Sequence, residues 1–100
     1  MRQASSDPMS RNVRTPDSCI REFIKAEFVG SKEYTRQKCE WSLQRTRRLL
    51  EAAGFDASPY KIDDKAIEYL LYEGWKDHEV SYRKSEFSYL KRYLLFYKND

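Results

Sequence analysis

Thr35, Cys39, Leu43, Thr46, Leu50 and Ala53 recur every three or four residues, a spacing that predicts a helix over 32–53. At 100° per residue the six positions fall within about 80° of one another, and Leu49 widens the stripe. A helix with one apolar stripe must bury it against other elements, and the rest of the chain offers more helices for the purpose. Glycine and proline, the residues that punctuate turns and strands, number three each in 100 residues. No stretch of useful length alternates apolar and polar residues as a strand does. Fifteen per cent of the chain is aromatic, enough large side chains for the single core that one domain of this size can build.

Thr15-Pro16 reads as an N-cap followed by proline in the first helical position. Ile20, Phe23, Ile24 and Phe28 then place a first helix over 16–28, and Val29-Gly30-Ser31 ends it and caps the second. Gly54 stops the second helix. After a loop containing Pro59, Asp63 caps a third helix over 64–74 with Ala66, Ile67, Leu70 and Leu71 on its apolar face and Gly74 at its end. Trp75 to Val80 is expected to be a short polar loop. Ser81 is expected to cap a fourth helix over 82–98, whose core face is Phe87, Leu90, Tyr93, Leu94 and Tyr97. The expected fold is all-α, a compact four-helix bundle spanning 16–100 behind a disordered, polar arm at 1–15.

Charge is distributed unevenly. The net value is +3, but residues 31–54 carry six Lys and Arg against three Asp and Glu, and residues 81–100 carry five against two. Between them, residues 55–80 hold seven acidic and three basic side chains. Two basic segments separated by an acidic one suit an anionic partner on one side of the molecule.

The second helix carries more than its core stripe. Tyr34, Lys38, Trp41, Arg45 and Arg48 share a second arc of about 80°, centred roughly 140° from the first. A plain reading makes this a solvated face, with Trp41 covered by the first helix or the arm. A functional reading makes it a nucleic-acid surface, in which Lys and Arg neutralise phosphates and release counterions while the aromatics supply flat apolar area. The fourth helix repeats the pattern: opposite its aromatic face lie Ser81, Ser85, Ser88 and Arg92, flanked by Lys84 and Lys91. Short serines let a backbone approach phosphate closely, although serine is also common on wet helix faces. The predicted DNA-contacting residues are Lys38, Trp41, Arg45, Arg48, Lys84, Ser88, Lys91 and Arg92. Arg45 is the one placed to reach a guanine.

Other chemistry finds little support. Cys19 and Cys39 read as small apolar packing residues in a reduced, cytoplasmic setting, in preference to a disulfide or metal pair. His78 reads as a plain loop residue. Asp63-Asp64 reads as helix capping and not as a metal pair. The chain has no phosphate-binding glycine loop, HExxH, CxxC or GxSxG motif, so no cofactor, metal or catalytic residue is expected. No apolar run is long enough to span a membrane.

The run SKEYTRQKCEWSLQRTRRLLEAAGF resembles the opening of the core-binding domain of tyrosine recombinases and phage integrases. Ser31, Thr35, Cys39, Leu43, Thr46, Leu49, Leu50 and Gly54 occupy its characteristic places. Cys39 stands where an aromatic is usual, and Thr46 where Phe or Leu is usual. Tyr60 to Leu70 resembles the family's next segment, and Phe87, Leu90, Lys91, Arg92, Tyr93, Leu94 and Phe96 its last helix. The resemblance covers about residues 17–98. It implies a SAM-like four-helix domain whose second and fourth helices face double-stranded DNA on one side of a recombination site, with further recombinase protomers as possible partners. The catalytic Arg, His and Tyr would belong to a separate C-terminal domain. The histidine here continues as His-Glu-Val-Ser, not His-x-x-Arg, so this chain is expected to be a non-catalytic binding part. The rival expectation is a small helical protein–protein interaction module, with Trp41 and Tyr34 as anchors in a polar rim.

Overall fold

The structure is a computed structural model that describes residues 15–98, and those residues form an all-α fold. Of the arm expected at 1–15, residues 1–14 lie outside the described residues, and Thr15 belongs to the fold as the N-cap of the first helix. Helix α1 spans Pro16–Glu27, α2 Glu33–Ala52, α3 Asp64–Tyr69 and α4 Val80–Lys98. A π-helix, Leu70–Gly74, continues α3 directly.

The caps follow from local chemistry in two places and depart from expectation in two others. The Thr15 hydroxyl accepts from the Ser18 amide at 3.1 Å, with Pro16 behind it where a missing N–H costs nothing. Asp63 accepts from the Ala66 amide at 3.1 Å. Ser31 does not cap α2: the N-cap is Lys32, which makes no side-chain capping bond. Gly30, at φ +82°, turns the chain there, so Ser31 falls one position short of the cap. Ser81 does not cap α4 either, because the helix already includes Val80 and the Arg83 amide bonds back to the Glu79 carbonyl at 3.0 Å.

The third segment differs most from the sequence reading. The expected helix over 64–74 is α-helical only to Tyr69, and the Trp75 amide then bonds to the Leu70 carbonyl at 2.8 Å, five residues back. In a regular α-helix, residues five apart point roughly 140° away from each other. The wider turn brings them closer to line, so Leu70 and Trp75 are both buried. Trp75 is therefore not part of a polar loop but, at 1% exposed, the largest fully buried side chain among the described residues.

The core is shared by all four helices. Cys19, Ile20 and Phe23 of α1, Cys39, Leu43 and Leu50 of α2, Ala66 of α3, Leu70 and Trp75 around the π-helix, and Leu90 and Tyr93 of α4 are buried together. Phe23 lies edge-on to Phe28, Tyr93 and Phe96, with ring centroids 5.4–6.1 Å apart. Both cysteines are free and buried in this core. Thr35 and Ala53, the ends of the expected α2 stripe, are exposed, and Ser42 takes a buried place beside Cys39 and Thr46. The Tyr97 hydroxyl donates to the Cys19 carbonyl at 2.7 Å and ties the end of α4 to α1.

Candidate nucleic-acid interface

The second arc of α2 faces outward as its phase requires. Tyr34 and Trp41 are exposed, Trp41 at 56%, so neither α1 nor any other described element covers the indole. Lys38 stands over the Tyr34 ring, with its ammonium 5.8 Å from the centroid. Arg48 is exposed and makes no ion pair among the described residues. Arg47, one position on but outside the arc, is committed internally: it donates to Gln44 at 2.7 Å and to Glu51 at 2.9 Å, while Gln44 donates to Asp17 of α1 at 2.6 Å.

Arg45 is held by a residue that the sequence reading passed over. Its guanidinium donates to Glu86 Oε2 of α4 at 3.1 Å, and Glu86 is only 3% exposed. Partial burial works against the charge of Arg45. The hydrogen bond that Arg45 donates to Glu86 and the charge of that carboxylate, with a smaller contribution from Tyr82, outweigh it, so the guanidinium pKa lies above its ordinary value. The signal for Glu86 was present in the helical phase: Glu86, Leu90 and Tyr93 are spaced as one face. A carboxylate in an aromatic stripe calls for a cation from a neighbouring helix, and Arg45 supplies it.

Two shallow grooves flank Arg45. One, of about 340 Å³, runs between α2 and α4 and brings Lys38 and Arg45 against Ser81, Ser85 and Tyr89, with Glu86 at its side. The other, of about 370 Å³, lies between α1 and α2 and gathers Trp41, Arg45 and Arg48 with the carboxylates of Asp17 and Glu40. Lys38, Trp41, Arg45 and Arg48 thus form one continuous face. The α4 residues are dispersed. Ser88 and Lys91 are exposed on its outer side. Arg92 lies over the Phe28 ring at 4.8 Å and 3.8 Å from Glu27, at the junction with α1. Lys84 lines a different groove, with Leu71, Tyr72 and Phe87.

The remaining chemistry-bearing residues are occupied otherwise. His78 stacks on Tyr82 with centroids 4.1 Å apart. Burial pushes the Cys39 thiol up to about 12, with Arg92 opposing and Glu40 and Glu86 adding to the shift. Among the described residues no group of three or more His, Cys, Asp or Glu could hold a metal ion, and no helix is long and apolar enough to cross a membrane. No protein-family model, no curated protein and no solved structure matches this chain.

Proposed function

We propose that this chain is a double-stranded-DNA-binding module, acting in the cytoplasm and gripping one side of its site as the core-binding domain of a tyrosine recombinase does. The exposed face of α2 would contact the duplex, and the outer side of α4 would extend that contact. The observation that carries the reading is Trp41, exposed between Lys38, Arg45 and Arg48, with Arg48 free of any ion pair among the described residues. An unpaired arginine beside a flat apolar ring serves a phosphate–sugar backbone better than it serves fold stability. Lys38 and Arg48 neutralise phosphates, Arg45 is pre-oriented by Glu86, and Ser81 and Ser85 keep the α4 wall of the groove low enough for close approach. The role is one of binding, and any strand-exchange chemistry would belong to another domain.

A protein partner on the same face is the second reading. It is favoured by Asp17 and Glu40 beside Trp41, which give that groove a mixed-charge rim. Fluorescence anisotropy with a labelled random duplex over a salt series separates the two. DNA binding predicts an affinity that falls steeply with salt, and Lys38→Ala with Arg48→Ala flattens the slope by about 2. A wild-type slope near zero, or a slope untouched by the double variant, removes the DNA reading from this face.

A further inference from the structure

The π-helix turns Tyr72 outward and sets Leu71, partly buried against the core, beside the first turns of α4, and together with Val80 and Phe87 they line an open groove of about 400 Å³. Tyr72 is 71% exposed and Val80 54%, so the apolar walls are wet. Arg83 and Lys84 complete the lining, and neither makes an ion pair among the described residues. The Arg83 Nε is buried without a hydrogen-bond partner. Glu73, the acidic residue of the π-helix itself, is taken up by Lys76 at 3.6 Å. The groove therefore combines exposed aromatic and aliphatic walls, a π-turn of the kind that recurs at functional sites, and two uncommitted cations.

We propose that this groove docks a short acidic, apolar segment of a partner protein, its aliphatic side chains lying against Tyr72, Val80 and Phe87 and its carboxylates meeting Arg83 and Lys84. Charge complementarity selects this occupant. The lining holds four apolar side chains, two cations and no carboxylate, too few positive charges to track a phosphate backbone. A peptide bearing one or two carboxylates needs only the two cations at hand.

The full chain, labelled for amide NMR, is titrated with a synthetic helix of Leu, Ala and Glu that presents two leucines flanked by glutamates. A version with Lys in place of Glu and a random DNA duplex are titrated in parallel. The expected result is saturable shifts at residues 71–72 and 80–87 with the acidic helix, and no movement of 71–72 with the lysine version or the duplex. Tyr72→Ala, at an exposed position that leaves the fold intact, and Arg83→Gln each weaken binding by about tenfold. Absent or scattered shifts, equal binding of the lysine version, or indifference to both variants would overturn the proposal. Duplex DNA moving Leu71 and Tyr72 would reassign the groove to nucleic acid and overturn it as well. The DNA reading of α2 is scored separately, from duplex shifts at residues 38–48, so either can fail alone.

Discussion

Arg45 shows how one side chain can serve the fold and the surface together. Glu86 is buried on the core side of α4 and has one carboxylate oxygen bonded to Arg45 and the other without a partner. Arg45→Ala therefore strands a buried charge, and it is expected to cost about 1–3 kcal/mol in chemical denaturation. Pairing Arg45→Ala with Glu86→Leu should recover most of that loss, because an apolar residue suits the site once its cation has gone. An additive double variant would show that the pair does not couple. For the same reason a DNA-binding defect in Arg45→Ala alone is ambiguous, and Lys38 and Arg48 are the cleaner probes. Cys39 offers a pH test. Its thiol pKa is raised on folding to about 12, so the folded state holds a proton that the unfolded state releases from about pH 9 upward. The stability it contributes is complete below that pH and is lost as pH rises toward 12. Urea melts should show wild type losing more stability between about pH 8 and pH 10.5 than Cys39→Ala does, and parallel losses would refute the linkage.

At the scale of elements, most of the fold could be read from periodicity, and the misses have a common cause. Helices α1, α2 and α4 were legible because their apolar residues repeat at 3.6, and Thr15 and Asp63 because a capping oxygen precedes such a run. The π-helix was not legible: Ala66, Ile67, Leu70 and Leu71 are as compatible with a continuous α-helix, and only Trp75, five residues after Leu70, betrays the wider turn. Reading that tryptophan as loop followed from its polar neighbours Lys76, Asp77 and His78. The Arg45–Glu86 pair was hidden because it joins residues 41 apart in sequence, which no local window sees. Two glycines make the local physics testable. Gly54 has φ +89°, where a Cβ is strained, so Gly54→Ala should cost about 1 kcal/mol. Gly74 lacks that constraint, and an added Cβ would meet Leu70 at 3.4 Å and Leu49 at 3.5 Å in ordinary contact. Gly74→Ala should be neutral or stabilising by about 0.5 kcal/mol. Thermal melts that rank the two variants the other way would contradict the backbone assignment.

Over the whole molecule, the candidate DNA face was half legible. The charge pattern and helical phase singled out α2 as a face, and the structure places its four residues side by side. The α4 residues share a helix side in sequence yet lie against different neighbours, because α4 touches α1, α2 and the π-helix in turn. If DNA lies along α2, the acidic segment 55–80 acts on it through its field and not through contact. Glu68 and Asp77 are exposed there, and neither makes an ion pair among the described residues. Replacing them together, Glu68→Gln with Asp77→Asn, removes two repulsive charges and leaves the basic face intact. Duplex affinity should rise on the order of two- to threefold at low salt. The gain should vanish once the Debye length falls well below the span of the domain, at roughly 0.3 M salt, while the amide shifts stay on 38–48. A contact effect would behave differently, since removing a phosphate partner changes the salt slope itself. A gain that persists at high salt, or new shifts at 68 and 77, would mean that the acidic segment touches the duplex and that the DNA does not lie along α2.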